Sequence, residues 1–198
     1  MMTVKDLEKV QKTFQEARQD YQVELESEKT IVVDPSDIVS SEIGIRLSAF
    51  LFVWVNPRRL GRVFDSAGGF ILPDANLTAP DVSFVRAARL RQSPRYFGEL
   101  LPDLVVEIKS QSEIIKPLEK KIKNFIQLGA QVGILIDPDE ETVTVYRQEG
   151  EPIVLGNEDI LTVTELFPGW ELQISELWPP IFTLSRNSSI ISHFNTIS

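Results

Sequence analysis

Cysteine is absent from the 198 residues, and histidine occurs once, as His193. Without a thiol there is no disulfide and no thiolate metal site, a composition that suits a reducing cytoplasm. With one histidine, in a polar C-terminal stretch, neither a Ser-His-Asp triad nor a histidine-rich zinc site can be assembled. Catalysis would have to come from carboxylates, lysine and a hard cation. The first residues, Met1-Met2-Thr3-Val4-Lys5-Asp6, are polar and lack the apolar centre of a signal peptide. Long apolar runs are also scarce. The most apolar window, Leu47 to Val55, spans nine residues, against the roughly 20 that a bilayer-crossing helix needs. These absences predict a soluble, cytoplasmic protein.

The residues present describe an ordinary globular chain, 42% hydrophobic and 25% charged. Its length predicts a single domain over residues 1–180, followed by a polar tail over 181–198 rich in serine and asparagine. The net charge of −9 argues at first against a polyanionic partner. Its distribution says more. Arg86 to Lys123 holds nine Lys/Arg and five Asp/Glu, whereas Asp137 to Glu176 holds one Arg and eleven Asp/Glu.

Apolar positions at Val4, Leu7, Val10, Phe14, Ala17 and Tyr21 repeat close to every 3.6 residues and predict an N-terminal helix. Tyr21 to Val33 is expected to form a hairpin. Ser40-Ser41-Glu42 then opens a second helix, apolar nearly all round, that runs to about Val55 and stops before Asn56-Pro57. Gly61–Phe64 and Phe70–Leu72, flanking Asp65-Ser66-Ala67-Gly68-Gly69, predict a second hairpin. Val82–Val85 is a strand, and Arg86–Gly98 an arginine-rich connection with a short helix. Leu104–Lys109 is a central strand and Ile114–Leu128 a helix ended by Gly129. Val132–Ile136 is a fully apolar strand, and the alternating Thr142–Tyr146 is expected at a sheet edge. Strand, helix, strand from 104 to 136 forms a βαβ-like unit among antiparallel hairpins. The fold class is therefore α/β or α+β, with a mixed central sheet flanked by helices.

The chemistry concentrates in Pro102-Asp103-Leu104-Val105-Val106-Glu107-Ile108-Lys109-Ser110. Residues i and i+2 of a strand face the same way, about 6.6 Å apart, so Glu107 and Lys109 share one face of an apolar strand. Burying such charges costs several kcal/mol per ion unless they pair or bind a metal. Glu42, Asp81, Glu107 and Lys109 could converge on one point. Carboxylates so arranged suit magnesium or manganese, and an adjacent lysine could orient the attacking water or stabilise the transition state. Asp103 also follows a proline, but it lies four residues from Glu107, about 13 Å along the strand, too far to share an ion with ligands at about 2.1 Å. Asp81, on a neighbouring strand, is the better partner, and Asp103 is read as a residue that starts its strand.

The ordered segments resemble the PD-(D/E)XK nuclease superfamily and, more narrowly, the Uma-two family of restriction-endonuclease-like proteins. The matching pieces are Pro80-Asp81-Val82-Ser83-Phe84-Val85, the Pro102–Ser110 string, Lys121 and Phe125 leading to Gly129, and Leu135-Ile136-Asp137-Pro138. The similarity extends over roughly residues 20 to 178. It departs at Gln131-Val132-Gly133, where relatives carry proline and aromatic residues, and at Phe125, where tyrosine is common. The resemblance implies a restriction-endonuclease-like fold and a metal-dependent endonuclease acting on DNA. It implies magnesium, or manganese, held by Asp81, Glu107 and the main-chain carbonyl of Ile108. Lys109 would stand beside the metal and Glu42 would be an accessory acid. It also implies pairing as a homodimer.

Blander readings stand beside these. Glu107 and Lys109 could form an intrastrand ion pair without chemistry, Asp81 a turn residue, and Glu42 a favourable helix N-terminal charge. Arg86, Arg89, Arg91 and Arg95, with Lys116, Lys120 and Lys121, could contact a nucleic-acid backbone or only solvate the surface. Trp54, Trp170 and Trp178 are expected in the core and His193 to be inert. Two other functions compete with the nuclease: a catalytically silent nucleic-acid- or protein-binding module on the same fold, and an oligomeric scaffold.

Overall fold

The structure, a computed structural model, describes residues 22–26, 29–33 and 36–182. The expected N-terminal helix, the C-terminal tail beyond residue 182 and His193 lie outside the described residues. Twelve strands and two helices follow in chain order among those described. They are β1 (Gln22–Glu26), β2 (Lys29–Val33), α1 (Ile38–Arg58), β3 (Gly61–Asp65), β4 (Phe70–Ile71), β5 (Leu77–Thr78), β6 (Val82–Arg86), β7 (Leu104–Ile108), α2 (Ile115–Leu128), β8 (Val132–Asp137), β9 (Thr142–Arg147), β10 (Ile153–Leu155), β11 (Ile160–Thr162) and β12 (Glu171–Gln173).

The main sheet has the order β10-β9-β8-β7-β6-β3. Only β7 and β8 run parallel; every other neighbouring pair in this sheet is antiparallel. The parallel pair needs a crossover, and α2 supplies it. Beside this mixed sheet lie a four-stranded sheet, β2-β1-β5-β4, and the pair β11-β12. The fold class is thus the α+β arrangement expected, with a central mixed sheet and two helices.

Alternation along β7 sorts its side chains between two cores. Leu104, Val106 and Ile108 join Ile43, Leu47, Leu51 and Val55 of α1. Val105 joins Leu118, Ile122 and Phe125 of α2 on the opposite face. All five residues of β7 are buried, as the central strand of a sheet covered on both faces must be.

The first helix is longer than its sequence suggested. Asp37 caps it, accepting from the Ser40 amide at 2.9 Å, so Glu42 stands in the second turn and not the first. That amide holds the Asp37 carboxyl below its usual range against the opposing effect of burial. The helix also continues through Pro57 and closes on Arg59 in the left-handed region, at φ 54°. By length and composition α1 is long and apolar enough to cross a membrane, which the nine-residue window understated. One of its faces is committed to the core, where Ile43, Leu47, Leu51 and Val55 are all but inaccessible.

Three further expectations are corrected. Gly61–Asp65 and Phe70–Ile71 do not pair with one another; β3 pairs with β6 and β4 with β5, in different sheets. The segment after Arg86 is built from turns, without a helix. Thr142–Arg147 lies inside the sheet, because β10 pairs outside it and takes the edge. The hairpin near residues 21–33 is present as β1 and β2. Trp170 is buried and Trp54 and Trp178 pack partly buried against the core.

Gly61 lets β3 approach β6. A Cβ there would fall 2.2 Å from the Val85 carbonyl oxygen and 2.5 Å from the Phe84 ring. Backbone cannot yield as a side chain can. Gly61→Ala is expected to lower the unfolding free energy by about 1–3 kcal/mol in urea titrations; an unchanged midpoint would contradict this packing.

Candidate active site

The register of β6 against β7 pairs Val82 with Val106. One step further along the same antiparallel ladder sets Asp81 opposite Glu107, and cross-strand partners face the same side of a sheet. That side is the one α2 covers. Asp81 Oδ2 accepts the Ile108 amide at 2.7 Å, which fixes its carboxylate at the end of β7. Glu107 is buried, 4% exposed, although it is ionisable. Its Oε2 accepts from Lys121 Nζ at 3.1 Å, and its Oε1 is buried with no hydrogen-bond partner among the described residues.

Lys121 reaches this point because α2 is clamped by its apolar stripe. Leu118, Ile122 and Phe125 are buried, and Lys121 borders them three residues after Leu118 and four before Phe125. It is therefore not the surface lysine that its basic neighbours Lys116 and Lys120, both exposed, had suggested. A second carboxylate meets it. Glu24 of β1 places Oε2 3.5 Å from Lys121 Nζ, while its Oε1 accepts from the Ala79 amide at 2.9 Å and the Thr78 hydroxyl at 3.1 Å. No local pattern marks Glu24, since its place depends on β1 pairing with β5, more than fifty residues away.

Three carboxylates around one ammonium leave an excess of negative charge. Burial first, then the nearby charges of Asp81 and Glu24, push the Glu107 carboxyl up to about 8, against the opposing pull of Lys121. Burial raises Asp81 as well, opposed by the Ile108 amide and by Lys121. For Lys121, burial alone would lower the ammonium, but Glu107 and Glu24 outweigh it and the net shift is upward.

The other residues singled out from the sequence fall elsewhere. Lys109 Nζ pairs with Asp139, just past the end of β8. The hydrogen bond to Asp139 raises its pKa, with burial opposing and Asp137, Asp139 and Glu113 adding their charges. Its backbone is held from both sides: the amide donates to Ile136 O at 2.9 Å, and Lys109 O accepts from the Ser40 hydroxyl at 3.1 Å. Glu42 lies 3.8 Å from Arg46 on its own helix, and α1 covers the face of the sheet opposite to Glu107. Asp103 is buried at the start of β7, where it accepts from the Arg86 side chain at 2.9 Å and pairs with Arg89 at 2.9 Å. Both arginines thus have an internal partner.

The Uma2 family, described as "Putative restriction endonuclease", matches residues 6–175. The chain belongs to the Uma2 family. No curated protein matches it. Among solved structures it is similar to a "putative nuclease belonging to DUF820" from Anabaena variabilis, with 26% identity and a TM-score of 0.70, over 78% of this chain and 88% of that one. The central sheet and two helices that carry Asp81, Glu107 and Lys121 lie within the Uma2 match.

A stability measurement checks the charge imbalance. The unfolded Glu107 carboxyl loses its proton near 4.5 and the native one near 8. The native state therefore holds the extra proton between those values, and stability falls as pH rises through that window. Without divalent ions, the urea-unfolding free energy is expected to drop by about 3 kcal/mol from pH 5.5 to 8. Glu107→Gln should flatten that slope; a slope that survives the substitution would contradict the burial of this charge.

Proposed function

We propose that the protein is a divalent-metal-dependent nuclease that hydrolyses DNA phosphodiester bonds, with Asp81 and Glu107 holding the metal. One observation carries the reading: Glu107 keeps a buried carboxylate oxygen without a partner among the described residues, beside a second carboxylate at the start of the adjacent strand. A buried unpaired acceptor costs roughly 1–3 kcal/mol or more, and a cation is the partner that two facing carboxylates accept.

The donor set fits magnesium or manganese. Among the described residues no three acidic, histidine or cysteine side chains are spaced to hold a metal ion, but magnesium takes only one or two carboxylates and keeps several waters. A main-chain oxygen can supplement them. The N–H and C=O of a strand residue project to the same side, and the Ile108 N–H points to Asp81, so the Ile108 carbonyl is the natural third donor. A bound divalent ion supplies a water of lowered pKa and neutralises charge on the phosphoryl oxygen.

The chain's own groups do the rest. Asp81, pinned by the Ile108 amide, presents its carboxylate without searching rotamers. Glu107 is held from above by Lys121, which leaves Oε1 for the ion. Lys109 holds the motif position for assisting the attacking water, but to do so its ammonium has to leave Asp139. That commitment is the one observation that favours the alternative, a binding module that keeps the fold without the reaction.

Supercoiled plasmid separates the two. With magnesium, the wild-type chain should nick DNA, chelation should abolish nicking, and Asp81→Asn and Glu107→Gln should each lose about 100-fold or more. Salt-sensitive DNA binding without nicking under magnesium or manganese would establish the silent module instead.

A further inference from the structure

The cations of this chain fall into two sets of different chemistry. From Thr30 to Ile108 every basic residue is an arginine, and from Lys109 to Lys123 every one is a lysine. We propose that the arginines gathered at the end of β6 remote from Asp81 form a second phosphate-binding surface, which grips the backbone of duplex DNA away from the carboxylates. The inference rests on the nuclease reading above only for the identity of the polyanion.

The topology does the gathering. The chain leaves α1 through Arg58 and Arg59 and enters β3, whose Gly61 pairs with Arg86 at the end of β6. The Ala87 amide donates to Leu60 O at 2.9 Å, so the segment after β6 lies against the segment after α1. Arg62 joins them further, donating to Leu90 O at 3.2 Å and to Arg91 O at 2.8 Å. The far end of the same loop is held by Gly98, whose amide donates to Gly69 O at 3.0 Å and whose carbonyl accepts the Ile71 amide at 2.8 Å. Arg91 and Arg95 are thus carried on a loop tied down at both ends and at Leu90–Arg91.

The charges at this pole are not neutralised from within. Among the described residues the arginines that meet a carboxylate are Arg46, Arg86, Arg89 and Arg147. Arg86 and Arg89 share a single one, that of Asp103. Arg59, Arg91 and Arg95 are exposed and meet none. Arg58 stacks 3.5 Å from the centroid of the Trp54 ring, a seat that leaves its charge in place. Like charges crowded together repel, and folding gains nothing from assembling them. A partner with regularly spaced anions does. Arginine suits phosphate better than lysine, because its planar fork binds two oxygens at once and stays charged.

The rest of the molecule sharpens the preference. The acid-rich stretch from Asp137 to Glu176 builds β9 and β10, at the opposite edge of the main sheet from β3. A polyanion approaching a chain of net charge −9 is therefore turned toward the β3 edge. Asp81 lies five residues from Arg86, about 17 Å along the strand, which matches about five phosphates of one DNA strand at roughly 3.4 Å each. Arg62 pairs in register with Val85, whose side chain belongs to the core under α2, the face on which Asp81 and Glu107 meet. One duplex can span both points.

Two triple variants of the full chain test the surface: Arg59→Ala with Arg91→Ala and Arg95→Ala, and the same three positions changed to lysine. Fluorescence anisotropy with a duplex of about 20 base pairs, in EDTA to prevent cleavage, gives the affinity and its salt dependence, and circular dichroism checks the fold. The alanine triple should bind at least about tenfold more weakly, with the slope of log affinity against log salt reduced by about 2–3. The lysine triple should keep the slope and lose about threefold or more in affinity, since charge remains and the fork is gone. In Mn²⁺-supported nicking the alanine triple should raise KM about tenfold with kcat unchanged, as loss of uniform binding requires. An alanine triple that binds as wild type overturns the surface, and so does a lysine triple indistinguishable from wild type, the mark of net charge alone. Either result leaves the nuclease standing if the wild type nicks DNA. A wild type that binds duplex through these arginines but never nicks keeps the surface and removes the nuclease.

Discussion

The contact between Glu107 and Lys121 organises this molecule. It buries a carboxylate in the middle of the main sheet and covers it with an ammonium from the crossover helix. A charge in that position is tolerable only if its partner arrives at a fixed distance. The helix must therefore sit in one register over β7, with Leu118, Ile122 and Phe125 locking it. Glu24 then ties the small sheet to the same ammonium, and Asp81 closes the group from β6. Four segments of the chain thus meet at one polar point beside the apolar core under α2.

The charged groups at other strand ends are arranged differently. Asp103 is answered by two guanidinium groups, and Lys109 by an aspartate. In those contacts every carboxylate meets a cation, and the pairs hold strand ends in place. At Glu107 the acids are in excess: Glu24, Asp81 and Glu107 share one lysine, and one oxygen has no hydrogen-bond partner among the described residues. The divalent cation proposed above would relieve this excess, which sits in a chain of the Uma2 family with a nuclease-like fold.

The legible parts of the fold were those decided by local pattern. The unit from Leu104 to Asp137 could be read because two β-branched runs enclose a helix with a strong 3.6-residue stripe and a glycine stop. The pairing of β3 with β6 could not, because Asp65–Gly69 looks like a hairpin turn and nothing local says that the next strand joins another sheet. Thr142–Arg147 alternates as an edge strand does, yet the short β10 covers it, and three residues carry too little pattern to announce that. At the site, Asp81 and Glu107 stood out as acids beside apolar strands. Lys121 stood out only as a piece of the family pattern and a possible phosphate contact, since a lysine next to Ile122 on a basic helix reads as solvated until the sheet beneath it is known. Glu24 depends on a pairing across more than fifty residues, which no spacing reveals. Glu42 was drawn in by proximity to a helix start, and the face that α1 covers separates it from Glu107.

The central claim is that Asp81 and Glu107 share one divalent cation. Anomalous diffraction from crystals soaked in manganese tests it most directly. The account predicts a single strong peak within about 2.2 Å of a carboxylate oxygen of each residue, with Lys121 still against Glu107. Saturating manganese that leaves this position empty, or that appears only beside Asp37 or Asp139, would contradict it.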